Sequence, residues 1–226
     1  MTSDLRLDLH VHSDRSPDSR LTIEVIAARL RDAGLRGFAL TDHNTIGGHR
    51  ALREAAPKYP DLFFVAGVEV STVEGHLLAY GVATAPPAHR PLEETIAWVR
   101  EHGGEPVLAH PFRRVHGVGR VVAEGAGVRA LEACNGQNSA AANRAAERLA
   151  HDRGLGVTGG SDAHTPGGVG QAYTTLSEVP ASADELLEAI RRGRTGAAGA
   201  SLDLTGRLRW SLRNAFLRVR RGFRAV

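Results

Sequence analysis

Short apolar runs alternate along most of the chain with longer segments that have helical spacing. The runs predict eight strands: Arg6–His12, Gly37–Thr41, Leu62–Val70, His76–Val82, Pro106–Ala109, Arg129–Ala133, Gly156–Thr158 and Tyr173–Leu176. The helical spacing predicts five helices between them: one capped by Thr22 and ended by Gly34, then Gly47–Ala56, Leu92–His102, Ala140–Arg153 and Ser182–Arg192. Strands that alternate with helices in this way favour parallel β-α-β units, and the length of the chain suits one α/β barrel or one large domain.

The C-terminal segment has a different pattern. Apolar residues recur at three- and four-residue spacing from Leu208 to Phe223, which predicts an amphipathic helix. Small residues dominate the stretch Gly193–Ala200, and we expect the barrel to end there. We therefore divide the chain into a barrel of residues 1–200 and a basic amphipathic helix of residues 201–226.

Histidines and carboxylates gather next to the ends of the predicted strands. The clusters are His10-Val11-His12, Thr41-Asp42-His43, Ala109-His110-Pro111 and Ser161-Asp162-Ala163-His164. In addition, Glu69 ends the apolar run from Phe63 to Val68, and His76 begins the run from Leu77 to Val82. The carboxyl ends of parallel barrel strands converge on one face, where the active sites of such barrels lie. Imidazole and carboxylate groups bind Zn²⁺ and other first-row metals. The sequence therefore predicts a site with several metal ions that activates water.

Spacing supports this hypothesis without deciding it. His10 and His12 stand on alternate residues, so on a strand both imidazoles point to one face and can ligate one ion. Asp162 and His164 repeat this spacing. A carboxylate such as Glu69 is costly to bury in an apolar strand unless a cation or an arginine is its partner. Each cluster alone also fits a structural role, but their joint occurrence at successive strand ends favours metal binding.

The order and spacing of the motifs resemble those of the polymerase and histidinol phosphatase (PHP) family of metal-dependent phosphoesterases. The motifs are D-L-H-V-H-S, S-P-D-S, A-L-T-D-H-N-T, G-V-E-V, H-L-L, A-H-P and S-D-A-H, and they run from Asp8 to Gly170. The resemblance implies a distorted (β/α)7 barrel with two or three divalent ions of manganese, iron or zinc. It also implies a metal-dependent phosphoesterase, in which we expect a metal-activated hydroxide to be the nucleophile.

Carried over to the matching positions, the resemblance implies three sets of ligands. They are His10, His12, Glu69 and Asp162 for one ion; Glu69, His76 and His110 for a second; and Asp18, His43 and His164 for a third. Glu69, which would bridge two ions, is implied to be catalytic together with His43 and Asp162. Asn44 follows His43 where many relatives carry aspartate, and we expect it to tune the site without ligating.

Four more residues are candidates for substrate binding. Arg113 and Arg114 follow the A-H-P motif directly, and a guanidinium group suits a phosphate because it is planar and always charged. Solvated loop charges are the alternative for this pair. Asn135, which follows a predicted strand, is a candidate for contact with the substrate or with the ligands. His116 could donate a proton to the leaving group, although a lone loop histidine is more often merely exposed.

Two further expectations concern residues near these motifs. We expect residues 117–127, which are rich in glycine, to form a loop that borders the substrate. Four histidines have no predicted partner and are expected at the surface: His49, His89, His102 and His151.

Charge is distributed unevenly along the chain. From Leu204 onward there are seven arginines and no acidic residue, so the total of +3 leaves residues 1–203 at −4. The basic helix would either pack on the acidic barrel or bind an anionic membrane surface or nucleic acid. The single cysteine, Cys134, provides no disulfide framework, the sequence has no long apolar run, and we expect no signal peptide. We therefore expect a cytoplasmic protein with no transmembrane segment.

Three functions remain open at this stage. The first is a phosphomonoesterase that acts on a small phosphorylated substrate. The second is a nuclease or nucleotide phosphodiesterase on the same barrel, because clustered arginines bind phosphate backbones. The third is a metal-binding regulatory module without turnover, which the complete set of candidate ligands disfavours.

Overall fold

The strands form one continuous sheet in chain order. The computed structural model of the protein describes residues 5–201. Its strands are β1 Leu5–Val11, β2 Gly37–Leu40, β3 Phe63–Ser71, β4 His76–Tyr80, β5 Glu105–Leu108, β6 Ala130–Asn135, β7 Gly156–Gly160, β8 Ala172–Leu176 and β9 Gly196–Gly199. Pairing of β1 with β8 closes the first eight strands into a barrel, and β9 pairs with β8. The predicted distorted α/β barrel is therefore confirmed.

Six of the eight barrel strands run in one direction. Strands β1, β2 and β3 pair in parallel, as do β5, β6 and β7, whereas β4 and β8 are antiparallel to both of their neighbours. Only residues 72–75 separate β3 from β4, which suffices for a hairpin but not for the longer crossover of a parallel pair. The start of β4, at His76, therefore lies at the barrel end where the parallel strands finish.

Helices cover the outside of the barrel in the described residues. They are α1 Ile23–Asp32, α2 His49–Ala55, α3 Leu92–Glu101, α4 Gly119–Gly125, α5 Ala140–Arg153 and α6 Ala183–Arg191, with short 3-10 helices at Ala56–Lys58 and Pro166–Gly168. The side-chain oxygens of Thr22, Ser139 and Ser182 accept backbone N–H groups at the starts of α1, α5 and α6, which stabilises these helices. Gly154 ends α5 in the left-handed conformation, with φ of 62°.

Apolar packing holds the strand ends in place. Ile26 and Leu30 of α1 are fully buried in one cluster with Phe38 of β2. In a second cluster, Tyr80 packs among strand residues and donates its hydroxyl to the Leu9 carbonyl at 2.8 Å. Removal of this apolar surface from water stabilises the barrel and fixes the strand ends on which the polar clusters stand.

Two local expectations are wrong. Residues 117–127 do not form a continuous loop, because they contain α4. His49 is buried on α2, and its Nε2 lies 2.9 Å from the carbonyl oxygen of Gly67. Sequence spacing could not show that a backbone carbonyl of a distant strand satisfies this imidazole.

The predicted C-terminal helix lies outside the residues that the structure describes. The predicted helix Leu208–Phe223 falls outside residues 5–201, and so does all of the segment assigned to residues 201–226 except its first residue. Within residues 5–201, no helix is long and apolar enough to cross a membrane.

Candidate metal centre

Glu69 lies at the centre of the histidine clusters. It stands near the end of β3, and a parallel bridge between its backbone and that of His43 brings the loop after β2 alongside it. Its Oε2 lies 3.2 Å from each of three imidazole nitrogens, which are Nε2 of His10, Nε2 of His12 and Nδ1 of His43. These four buried atoms have no hydrogen-bond partner among the described residues. Buried polar atoms without partners are costly, and a cation among them would satisfy all four.

The other oxygen of Glu69 faces two further imidazoles. Oε1 lies 2.8 Å from Nδ1 of His76 and 2.9 Å from Nε2 of His110. His76 pairs with Ser71 across the β3–β4 hairpin, and this turn returns the chain to Glu69. One buried carboxylate therefore contacts five imidazoles through its two oxygens, which is an arrangement suited to bridging two ions.

A second carboxylate organises the outer part of the site. Oδ2 of Asp18 lies 2.9 Å from Nε2 of His164 and 3.4 Å from Nε2 of His43. The side chains of Asp18 and His164 are 21% and 15% exposed, whereas that of Glu69 is 1% exposed. His43 lies between the two carboxylates, with Nδ1 toward Glu69 and Nε2 toward Asp18. The outer cluster is therefore the part of the site nearest to solvent.

Three groups of side chains have ligand atoms close enough to share an ion. The groups are His10, His12, Glu69 and Asp162; His43, Glu69 and His76; and His12, Asp18, His43 and His164. The first is the set implied by the sequence resemblance. His43 stands in the second group where His110 was expected, although His110 still contacts Glu69. The third contains the expected set and also His12. All nine predicted ligands thus come together at one end of the barrel.

The protonation states of the carboxylates suit metal ligation. Burial raises the pKa of Glu69 and Asp162, but His10 and other imidazoles, with Arg113 also acting on Asp162, outweigh burial and hold both pKa values well below the usual range. Burial and the charge of Arg113 lower the pKa of His110 to about 3. The same carboxylates, acting against burial, raise the pKa of His10 well above its usual value and that of His12 to about 10. Because metal ions bind anionic carboxylates and neutral imidazoles, an ion in this site would displace the protons of His10 and His12.

Two of the candidate ligands have unusual backbone conformations. His110 has φ of 28° and Asp162 has φ of 55°. Non-glycine residues at positive φ cost energy and occur preferentially at functional sites, where surrounding contacts hold them. The N–H of Asp162 donates to the carbonyl of His10 at 2.7 Å, which fixes two candidate ligands of the first group relative to each other.

Glu132 contacts two of the candidate ligands, and the sequence analysis did not identify it as part of the site. Its Oε1 lies 3.0 Å from Nδ1 of His10, and its Oε2 accepts from the backbone N–H of His110 at 2.8 Å and from Nδ2 of Asn135 at 2.9 Å. The side chain is 1% exposed. The only signal in the sequence was an acidic residue between apolar residues of the predicted strand Arg129–Ala133.

Two other polar groups fix the loops that carry the ligands. Asp8 accepts from the backbone N–H groups of Ser161 at 2.8 Å and Gly170 at 2.9 Å, and burial raises its pKa to about 6. Asn44 donates from Nδ2 to Oγ of Ser71 at 3.0 Å and accepts the Ser71 N–H at 2.8 Å. Asn44 therefore ties the loop after β2 to the end of β3.

The four predicted substrate residues occupy different positions. Nη2 of Arg113 donates to Oδ2 of Asp162 and to Oδ1 of Asn135, both at 2.6 Å. Asn135 is buried, while Arg114 is exposed in the loop after β5. The ring of His116, an exposed residue, stacks on that of His76 with centroids 4.6 Å apart. Arg113, Asn135 and His116 thus contact candidate ligands directly.

Comparisons with known families match most of the chain. A family model described as PHP domain matches residues 8–114, and one described as PHP-associated matches residues 140–195. These two ranges contain all nine candidate ligands. An uncharacterized protein of Methanocaldococcus jannaschii is 29% identical over an alignment 118 residues long, which covers 48% of this chain and 68% of that protein.

Solved structures share the fold at low sequence identity. A two-domain protein of Bacteroides vulgatus, described as containing a predicted PHP-like metal-dependent phosphoesterase, superposes with a TM-score of 0.71 at 20% identity, over 88% of this chain and 65% of that one. A lesion-specific endonuclease of Pyrococcus furiosus superposes with a TM-score of 0.66 at 18% identity, over 88% of this chain and 59% of that one. This chain thus spans slightly under two thirds of either protein, and the likeness shows a common barrel.

Proposed function

Because the chain belongs to the PHP domain family, we propose that it is a metal-dependent phosphoesterase that hydrolyses a small phosphomonoester. The observation that carries this proposal is the convergence of three groups of potential ligands on Glu69 and His43. The description of the B. vulgatus protein as PHP-like phosphoesterase supports the same class of reaction.

We assign the three groups to two or three divalent ions. His10, His12 and Asp162 hold one ion together with Glu69. His76, His43 and Glu69, with His110 beside them, hold a second, and the outer group around Asp18 and His164 holds a third. When bound, such ions make water acidic enough to attack at neutral pH and offset the charge of phosphoryl oxygens. Manganese, iron and zinc all suit imidazole and carboxylate donors.

The remaining polar residues position the ligands and the substrate. Glu69 keeps the inner ions close together because both of its oxygens face imidazoles. Nε of Arg113 donates a hydrogen bond to Oδ1 of Asn138 at 3.0 Å, and Nη2 donates to Oδ2 of Asp162 and to Oδ1 of Asn135. Nη1 of Arg113 makes no hydrogen bond to residues 5–201 and is the donor we assign to a phosphate oxygen. His116 stacks on His76, and burial lowers the pKa of His116 to about 4, so at neutral pH its imidazole is uncharged and can contact the substrate but is not poised to donate a proton.

The direct test is a phosphate-release screen of purified protein loaded with Mn²⁺, Zn²⁺ or Fe²⁺. We expect release of inorganic phosphate from at least one of a panel of sugar phosphates, nucleotides and histidinol phosphate. Short oligonucleotides are included with electrophoresis of the fragments as the readout, because cleavage of a phosphodiester bond releases no inorganic phosphate. Treatment with a chelator is expected to abolish the release, and added metal is expected to restore it. A protein that holds its metal ions but turns over no phosphoester would instead be a regulatory module, and the proposed function would be wrong.

Arg113→Ala is expected to lower kcat/KM by about 10- to 100-fold, since a hydrogen bond to a charged group contributes about 1.5–3 kcal/mol. We expect most of this loss in KM, because Nη1 grips the phosphate in the ground state as well as in the transition state. Arg114→Ala is the matched control, since Arg114 is exposed in the same loop, and it should leave both constants unchanged. An unaltered KM in Arg113→Ala would show that Arg113 serves only Asp162.

A specific observation also favours a nuclease or nucleotide phosphodiesterase as a second candidate. β9 is antiparallel to β8, and Gly199 pairs with Ala172, at the start of β8. The start of β8 pairs with the end of β7, next to Asp162 and His164. The chain therefore leaves the described barrel at the end that carries the site, and the arginines of residues 204–226 follow within a few residues. Such a cluster binds phosphate backbones.

The same screen separates the two candidates. The seven arginines that would be replaced together by glutamine are Arg207, Arg209, Arg213, Arg218, Arg220, Arg221 and Arg224. If the substrate is an oligonucleotide, this variant should lose cleavage at low salt while it keeps hydrolysis of a small monoester. If the arginines bind an anionic membrane instead, the variant should lose binding to phosphatidylserine vesicles only. If the variant keeps oligonucleotide cleavage, monoester hydrolysis and vesicle binding, the arginines pack on the acidic barrel.

A further inference from the structure

Glu132 contacts three parts of the metal centre without belonging to any of the three ligand groups. Nδ1 and Nε2 lie on opposite sides of an imidazole ring. Nδ1 of His10 faces Glu132 at 3.0 Å, while Nε2 of His10 faces Glu69 at 3.2 Å. The ring of His10 therefore separates Glu132 from the ion position, so this carboxylate acts on the ligands and not on the ion.

We infer that Glu132 is a positioning residue that sets the affinity of the inner site for its metal ion. Its Oε1 accepts the Nδ1–H of His10, which leaves the lone pair of Nε2 directed at Glu69. Nε2 has no hydrogen-bond partner within residues 5–201, as an atom reserved for an ion would have none. A carboxylate that holds the outer nitrogen of a ligating histidine fixes its tautomer and raises its basicity. This inference rests on the proposed metal-dependent function.

The second oxygen of Glu132 extends this control to another candidate ligand. Oε2 accepts from Nδ2 of Asn135 at 2.9 Å, and Oδ1 of Asn135 accepts from Nη2 of Arg113 at 2.6 Å. The same nitrogen of Arg113 donates to Oδ2 of Asp162 at 2.6 Å. A continuous chain of hydrogen bonds thus joins His10 to Asp162 behind the ion position. It leaves Oδ1 of Asp162 facing Nε2 of His12 at 3.2 Å.

Glu132 also holds the backbone at a strained position. Its Oε2 accepts the N–H of His110 at 2.8 Å, and His110 has φ of 28°. Backbone strain of this kind persists only where neighbouring contacts enforce it. One buried side chain therefore constrains His10 through its ring, His110 through its backbone and Asp162 through two intermediates.

The chain offers a matched control in Glu105. Both carboxylates are 1% exposed, but Glu105 begins β5 at the opposite end of the barrel and pairs with Nε of Arg191 at 2.6 Å. A general effect of neutralising a buried carboxylate should appear equally in Glu105→Gln and Glu132→Gln. An effect on the metal centre should appear in Glu132→Gln alone.

The experiment measures the affinity of the full chain for Zn²⁺ and Mn²⁺ by competition with a chromophoric chelator, without any substrate. In Glu132→Gln we expect at least one ion to bind about 10- to 100-fold more weakly than in the unmodified protein. Glu105→Gln is expected to retain all affinities. Thermal unfolding of the metal-free proteins reports on the fold in parallel.

Asn135→Ala provides a second variant in case Glu132→Gln fails to fold. It breaks the hydrogen bonds toward Arg113 while it leaves Glu132 against His10, so we expect a smaller loss of affinity, below about tenfold. Unchanged affinity in whichever of the two variants folds, or an equal loss in Glu105→Gln, would overturn the inference. If the unmodified protein binds neither ion, the proposed function itself fails, and this result is distinct from the other two.

Discussion

Replacement of Glu69 by glutamine is expected to lower kcat for phosphoester hydrolysis by about 10² to 10⁴-fold and to reduce the metal content of the protein. Oε2 contacts three imidazoles and Oε1 contacts two, so one substitution removes a charged ligand from two neighbouring ions. Loss of an outer partner of a single metal site typically costs about 10- to 100-fold in affinity or activity. Two sites affected together, each through a direct ligand, should lose at least the product of two such factors.

Glutamine has nearly the same shape as glutamate, so the fold should survive the change. Metal analysis, kcat at saturating substrate and thermal unfolding would be compared with Glu105→Gln, which neutralises an equally buried carboxylate away from the site. If Glu69→Gln kept the unmodified rate in excess metal, Glu69 would be a structural partner of the histidines, and the proposed mechanism would be wrong.

The location of the site was predictable because strand direction and residue spacing determine it. His10 and His12 stand on alternate residues at the end of β1, and Asp162 follows β7. Parallel strands bring their carboxyl ends to one face, so residues far apart in sequence meet there. A single acidic residue near the end of an apolar strand was enough to identify Glu69 as a candidate for binding a cation.

The connections between the ligands were not predictable from the same rules. The antiparallel direction of β4 follows from the short turn before it, and this direction places His76 beside Glu69. The assignment of His43 to two groups depends on which nitrogen of its ring faces which carboxylate. The short gap between the predicted strands Leu62–Val70 and His76–Val82 could have indicated the antiparallel direction. The orientation of the His43 ring depends on loop geometry, which neither periodicity nor motif order contains.

Glu132 and His49 show a further limit of sequence reasoning. Both are polar residues whose partners come from distant segments: Glu132 contacts His10, 122 residues away, and His49 contacts the carbonyl of Gly67. A buried polar side chain almost always has a partner, but the sequence does not say which group that partner is. In the structure Glu132 contacts candidate metal ligands, whereas His49 contacts the backbone of a barrel strand.

The ligand groups differ in their exposure to solvent, and we expect the ions they would hold to differ in how readily they exchange. The inner group is closed to solvent, whereas Asp18 and His164 of the outer group retain partial exposure. Charged groups near water interact more weakly than buried ones. The outer ion should therefore exchange most readily, and a residue that serves both groups should govern whether the full set is retained.

His43 and His12 each belong to the outer group and to an inner one, and His43→Ala is expected to remove the outer ion and to lower kcat by about a hundredfold or more. Nδ1 of His43 lies 3.2 Å from Oε2 of Glu69 and its Nε2 lies 3.4 Å from Oδ2 of Asp18, so alanine removes a nitrogen ligand from the inner and outer groups at once. Metal content would be measured after dialysis, and kcat would be measured with and without excess metal.

His151→Ala is the matched control, since the His151 side chain on α5 is 89% exposed and its partner is the adjacent Asp152; metal content and rate should not change. Added imidazole should partly restore the activity of His43→Ala, because the cavity left behind faces the more exposed outer group and can admit a free ligand. A purely structural role for His43 predicts a lower melting temperature without any change in metal stoichiometry. That result, together with an unmodified rate in excess metal, would exclude His43 as a shared ligand.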